Sequence, residues 1–274
     1  MDQQTQRIKL PKKVTGLHIL DEIVKDTHEV IRKRKSTLPF ESLRAMVEAS
    51  HSQTNSLSDR LIHQRPHIIA EFKRKSPSRP NINMTADPLE IAESYLAGGA
   101  SAMSILTEPV HFSGSPEDLS RIRQVIDLPL LRKDFIIDPY QIYEARHIGA
   151  DLILLIGRIL NETQIREFTA LAHELGLEVL FEIHNLDELK PLGDTPIDFL
   201  GVNCRDLTKF QTNLQLLLEI VSDLPSNIPL VAESGIAGPK DVRRLFQAGY
   251  QLFLVGEYLM SSDQPANRLA DLWQ

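Results

Sequence analysis

From Ile68 onward, eight short apolar runs alternate with segments of helical period: IIAEFK, AMSIL, LPLLRK, DLILLI, EVLFEI, FLGVNC, PLVAES and LFLVGE. Near-continuous hydrophobicity without in/out alternation is the pattern of parallel strands buried on both faces. The punctuation between the runs is equally regular. Asp87-Pro88-Leu89-Glu90 and Asp138-Pro139-Tyr140-Gln141 set a capping acid, a proline and an acid or amide at helix-start spacing. Asn161…Gln164 and Asn185…Glu188 repeat the pattern without the proline. Gly98-Gly99, Gly149, Gly176 and Gly249 stand where helices end before the next strand. Strand, cap, helix and glycine in eightfold repetition predict an α/β chain, a (β/α)8 TIM barrel. An open doubly wound sheet is the weaker competitor, because of the count and because no GxGxxG turn is present.

Residues 1–60 read as a polar tail and a helical extension packed on the barrel, and residues 61–274 as the barrel itself. Leu20, Ile23, Val24 and Ile31 share one face of a helix reaching about Ser36. The run Arg32-Lys33-Arg34-Lys35 suits the negative end of that helix and reads as a solvated helix end, ahead of any nuclear-import or RNA-binding role. After Pro39 a shorter helix passes through Leu43 and Met46 into a polar connector around His51 to Asp59. The tail MDQQTQRIKLPKK lacks the apolar stretch of a secretory signal, and no run approaches the roughly 18 apolar residues of a bilayer span. A formal charge of −7 argues against general binding to nucleic acid or anionic membrane. A cytoplasmic protein is therefore expected. The single cysteine, Cys204, rules out an internal disulfide and a thiolate zinc cluster.

Barrel enzymes gather their chemistry where strands end. Here those ends carry Glu71 and Lys73, Lys133, Glu182, Asn203 and Arg205, then Glu233 and Ser234, and finally Gly256. The second run offers little beyond Thr107 and Glu108, and the fourth ends in Gly157-Arg158. Residues two apart in a strand share a face, so Glu71 and Lys73 point the same way. At 4 Å and an effective dielectric of 20, one such pair is worth about 4 kcal/mol of Coulomb energy. Such a ring keeps its members ionised and offers a proton donor and an acceptor in one cavity. Ser234-Gly235 and Gly256 follow the seventh and eighth runs, the loops in which barrels often bind phosphate. The nine histidines are scattered, with no HExxH, and neither a P-loop nor a GxSxG elbow occurs. His184 reads as a loop residue near the rim, and Cys204 as a small packing residue on the opposite face from Asn203.

IIAEFKRKSPS closely resembles the signature of the indole-3-glycerol phosphate synthase family. SILTEPVHFSGSPEDL, LPLLRKDFIIDPYQIYEARHIGAD, FEI, GVNCRDL, VAESGI and VGEYLM resemble that family's later motifs in order, so the likeness runs from about Leu17 to the end. The resemblance implies closure of 1-(2-carboxyphenylamino)-1-deoxyribulose 5-phosphate to an indole ring with loss of carbon dioxide and water. It also implies no cofactor and no metal. By the same resemblance Lys133 is the general acid of ring closure and Glu182 the acid/base of the later dehydration. Lys73 holds the substrate carboxylate or phosphate, and which lysine acts in dehydration is left open. Glu71 and Asn203 orient the lysines and substrate hydroxyls, with Arg205 in support. Ser76, Glu233 and Ser234 line the ribulose, amides around Gly235, Gly256 and Glu257 cradle the phosphate, and Phe135 packs on the anthranilate ring.

Two positions depart from the family pattern. Arg79-Pro80 replaces a common Lys-Gly, which predicts a stiffer loop. Tyr258 stands where a small residue is common, and its bulk bears on packing alone. A monofunctional monomer is expected, acting on a small phosphosugar without a fused pathway domain, since the chain ends just after the last barrel helix. Phosphoribosylanthranilate isomerase, a barrel needing one acid and one base, leaves a lysine and a glutamate unexplained. A phosphosugar-binding barrel without catalysis leaves Lys133 and Glu182 unexplained.

Overall fold

The computed structural model describes residues 16–61, 64–206 and 211–273; the polar tail lies outside them. Eight parallel strands close into a barrel: β1 (His67–Phe72), β2 (Ala102–Leu106), β3 (Leu130–Lys133), β4 (Leu152–Ile156), β5 (Glu178–Ile183), β6 (Phe199–Asn203), β7 (Leu230–Glu233) and β8 (Leu252–Val255). Each pairs with its chain neighbours, and β8 closes on β1 with Val255 opposite Ala70. The loop after β6 adds a small antiparallel hairpin, Arg205–Asp206 against Gln211–Thr212.

The two-residue period of a strand sorts the side chains. Ile69, Leu131, Leu180 and Val231 point into the barrel with Leu152, Leu154, Leu252 and Leu254. Their neighbours Ile68, Ala70, Ile153 and Val179 join the layer under the helices. Continuing the inward parity by two residues reaches Glu71, Lys133, Glu182 and Glu233. The register that fills the core therefore also delivers the charged ring.

The outer layer begins with α1 (Gly16–Thr37) and α2 (Phe40–Glu48) and continues through α3 (Pro88–Ala97), α4 (Pro116–Arg123), α5 (Pro139–His147), α6 (Glu162–Glu174), α7 (Leu214–Ile220) and α8 (Pro239–Ala248). Asp87, Asp138 and Asn161 cap their helices as expected, Asn161 in a full capping box with Gln164. Asn185 also accepts an amide, that of Asp187, yet only a 3-10 turn, Leu186–Leu192, follows it. Pro191 inside that turn removes a donor and prevents a regular helix. Gly99, Gly149, Gly176 and Gly249 all have positive φ, as helix-ending glycines do.

The extension departs from its sequence reading in three places. Thr27 completes the buried stripe of Leu20, Ile23 and Ile31, while Val24 is only half-buried. Val47 faces inward in α2, and Met46 is exposed. Half of the basic run docks α1 onto the barrel instead of ending in solvent: Arg34 pairs with Glu144 at 2.7 Å and Lys35 with Asp138 at 2.7 Å. The polar connector has a structural task as well. Glu178, at the start of β5, accepts from Ser56 Oγ and the amides of Leu57 and Ser58, and this inserts Leu57 among the barrel-interior side chains. No described helix is long and apolar enough to cross a membrane.

Arg132, one residue before Lys133 and on the opposite face of β3, is fully buried. Its guanidinium meets Glu144 at 2.6 Å and Asp134 at 2.9 Å, and donates to the Gln141 carbonyl at 2.8 Å. Glu144 thereby joins α1 to β3 through Arg34 and Arg132. Removing one partner of a buried pair leaves a charge uncompensated, at a cost of about 3–5 kcal/mol. Glu144→Ala is expected to lie at the low end of that range, since Asp134 remains. A urea midpoint equal to wild type at unchanged m-value would refute this.

Candidate active site

The C-terminal strand ends open into a cavity of about 810 Å3, and all thirteen residues singled out from the sequence line it. At its floor Lys133 Nζ donates to Glu182 Oε2 at 3.2 Å and to Glu233 Oε2 at 3.0 Å. Lys73 pairs with Glu71, as the shared strand face predicts. The Glu71 carboxylate lies against Gly256, where a Cβ would come within 2.1 Å of Oε2. Gly256 is thus required by the packing of Glu71 from the neighbouring strand, a reason the loop reading did not supply. Gly201 is required by the same logic, for its Cβ would sit 2.3 Å from Glu233 Oε1.

Charge counting explains the electrostatics. Among the described residues Glu71, Glu182 and Glu233 face two ammonium groups, Lys73 and Lys133, so one proton on a carboxylate balances the group. Burial pushes Glu233 up to about 8, the pull of Lys133 being opposed by the negative charge of Glu182. Burial also works against ionised Glu182, but Lys133 and His184 overcome it and hold that carboxyl down to about 2. For Lys133, burial is outweighed by Glu233, Glu182 and Glu71, and its pKa is raised. Glu233, which the resemblance sets on the ribulose side, lines the cavity directly against Lys133 and is 1% exposed.

One flank of the cavity is apolar. Phe135 packs on Phe112 with ring centroids 5.9 Å apart, and Ile19, Leu20 and Ile23 of α1 also line the cavity. Phe112 was missed in the sequence because the end of β2 looked barren. Glu108 there accepts the amides of Val110, His111 and Phe112, so its carboxylate builds the loop that presents the ring. Thr107 is likewise structural and donates to Asp134 at 2.6 Å. The Asp134 carboxylate also accepts the Phe135 amide, and Gln141 donates to the Phe135 carbonyl, which fixes that ring's backbone.

The opposite flank is built from loops. Ser234 and Gly235 have φ of 71° and 73°, a sharp left-handed turn after β7 that serine adopts only with strain. Cys204 donates to the Ser234 carbonyl at 3.4 Å, and burial pushes its thiol up to about 11, consistent with a packing residue. The Ala237 amide is taken by Asp241 at 2.8 Å, while Gly235, Gly256 and Glu257 line the cavity. Arg79 reaches across to Glu257 at 2.5 Å, and Arg205 donates to Ser78 Oγ at 3.0 Å, tying the loop after β1 to the other rim. Ser76 and Arg79 exchange backbone hydrogen bonds in that loop, and Asn203 Oδ1 accepts the Arg205 amide at 3.1 Å.

A family model described as indole-3-glycerol phosphate synthase matches residues 20–272. The indole-3-glycerol phosphate synthase of Bacteroides thetaiotaomicron is 43% identical over 254 residues, covering 92% of this chain and 96% of that one. That of Salinibacter ruber is 41% identical over 257 residues, covering 93% and 95%. Among solved structures, a 3-hexulose-6-phosphate synthase superposes with a TM-score of 0.62 at 14% identity over 75% of this chain and 97% of that one, a likeness of fold alone.

The raised Glu233 carboxyl has a measurable consequence. Between its ordinary 4.5 and about 8 the native state holds a proton that the unfolded chain has lost, so this group's contribution to stability falls as pH rises through that window. Glu233→Gln removes the slope, and the variant is expected to gain on wild type between pH 5 and pH 8 in urea titrations. A stability difference independent of pH would contradict a protonated Glu233.

Proposed function

The chain belongs to the indole-3-glycerol phosphate synthase family, and from that premise we propose how its side chains divide the work. The enzyme is a carboxy-lyase of tryptophan biosynthesis. It converts 1-(2-carboxyphenylamino)-1-deoxyribulose 5-phosphate to indole-3-glycerol phosphate with loss of carbon dioxide and water. The observation that carries the assignment of roles is the Lys133 ammonium held between Glu182 and Glu233 on the floor of the cavity.

In this reading the ribulose carbonyl lies above Lys133. The ammonium donates to the carbonyl oxygen as the ring carbon attacks, stabilising the developing charge before the proton passes over. Glu182, ionised, serves the dehydration as acid/base and balances the cationic intermediate. Glu233 holds Lys133 in place from below. Lys73, oriented by Glu71, meets the substrate carboxylate. Asn203 and Ser76 meet hydroxyls, and Ser234 the ribulose, with Arg205 bracing the loop. Amides of Gly235, Gly256 and Glu257 take the phosphate, while Phe135 and Phe112 form the wall for the anthranilate ring. We assign residues 1–60 to a tail and a helical extension packing on the barrel, and 61–274 to the catalytic barrel. We take the working unit to be a monomer, placed in the cytoplasm.

Incubating the purified protein with the carboxyphenylamino sugar phosphate should generate indole fluorescence; its absence would defeat the reading. Lys133→Met should lower kcat by roughly 100-fold or more with KM little changed, and a near-normal rate would remove it from the acid role. Leu20→Ser combined with Ile23→Ser strips apolar surface from the cavity lining and should raise KM about 10-fold. An unchanged KM would free α1 from any part in binding.

A further inference from the structure

His184, the first residue beyond β5, has a role still unassigned. It lines the cavity, is 9% exposed, and neither ring nitrogen has a hydrogen-bond partner among the described residues. Its two nitrogens nevertheless face two carboxylates. Nε2 is 3.7 Å from Glu182 Oε1, and Nδ1 is 3.6 Å from Glu188 Oε2. The other oxygen of Glu182 is occupied by Lys133. Glu188 Oε2 also accepts the His184 amide at 2.9 Å, and its Oε1 accepts from Asn185 at 2.8 Å and from Arg158, whose residue reaches the surface. A line of groups thus runs from the floor of the site, through an imidazole, to a half-buried acid beside an exposed arginine.

The stoichiometry gives that line a purpose. The substrate carboxylate leaves as neutral carbon dioxide and a hydroxyl leaves as water, so each turnover takes up a proton from solvent. Glu182 is buried and Lys133 largely so, and in the reading above bound substrate lies between them and the mouth. We propose that His184 is a positioning residue acting through Glu182, passing protons inward from Glu188 to recharge the acid of the dehydration. A proton on Glu188 Oε2 moves to Nδ1, the Nε2–H bond breaks, and that proton bonds to Glu182 Oε1. No electrons change hands; Glu188 takes its next proton from solvent, and the ring regains its starting tautomer by losing the Nδ1 proton to water and taking one at Nε2. Both gaps are longer than a hydrogen bond, and such contacts commonly tighten only in the substrate complex. This inference rests on the assignment of Glu182 to the dehydration.

The test compares wild type, His184→Ala, His184→Gln, Glu188→Gln and Glu182→Gln by indole fluorescence in dilute and concentrated imidazole buffers across pH 6 to 9. His184→Ala is expected to lose roughly 10- to 100-fold in kcat with little change in KM, and to recover saturably with imidazole, to which wild type is indifferent. His184→Gln keeps the bulk and hydrogen bonding of the ring, so a purely structural role predicts its full recovery, whereas the relay predicts that it stays slow without imidazole. Glu188→Gln should show a smaller loss, also relieved by buffer. A His184→Ala rate within twofold of wild type, or one deaf to imidazole, overturns the relay. So does an unaffected Glu188→Gln, which spares the ring should the alanine variant fail to fold. If Glu182→Gln leaves dehydration intact, the parent assignment falls; if it slows while His184→Ala is normal, the relay alone falls.

Discussion

One ammonium shared by two buried carboxylates organises this molecule. Lys133 cannot neutralise both Glu182 and Glu233, and Lys73 is engaged by Glu71. The surplus carboxylate has to take a proton or move, and Glu233, folded against Gly201 with its second oxygen unpartnered among the described residues, has little room to move. The result is a division between carboxyls of identical chemistry: Glu233 is pushed up and Glu182 held down. Environment alone separates an acid from a base, which is how a site without unusual residue types can run both kinds of proton transfer at one pH.

The barrel and its ring of charge were legible because both follow from a local rule. Alternate residues of a strand share a face, so the end of each apolar run announces what will stand at the rim. Eight runs gave eight strands, and the residues at their ends meet in one cavity. What escaped was whatever depends on a partner far along the chain. Arg34 and Lys35 look like a solvated helix end until Glu144 and Asp138 are placed beside them. Leu57 hides in a polar connector because its burial depends on a carboxylate more than a hundred residues away. Phe112 was lost because Glu108 read as a rim group, whereas its carboxylate folds back on the loop's own amides. Gly256 stood out only as a loop glycine, because its close packing on Glu71 depends on a strand far along the chain.

The extension and the catalytic floor are mechanically continuous. Arg34 reaches Glu144, Glu144 reaches Arg132, and Arg132 precedes Lys133 on β3. Asp134 then fixes the backbone of Phe135. Helix α1, which contributes Leu20 and Ile23 to the cavity lining, is therefore anchored to the strand that carries the ammonium. Helix and floor are held by one run of buried charge, and a displacement of either is resisted by the other.

The plug at the base of the barrel bears on how the chain is assembled during synthesis. Ser56, Leu57 and Ser58 leave the ribosome early, yet the carboxylate that receives them belongs to Glu178. Until two-thirds of the polypeptide has emerged, that carboxylate is not there to receive this segment. Its run of serines, asparagine and glutamine, SQTNSLSD, keeps it hydrated through that wait with a single leucine exposed. The polarity that disguised the segment as an idle connector is what lets a late-fitting stopper be made first.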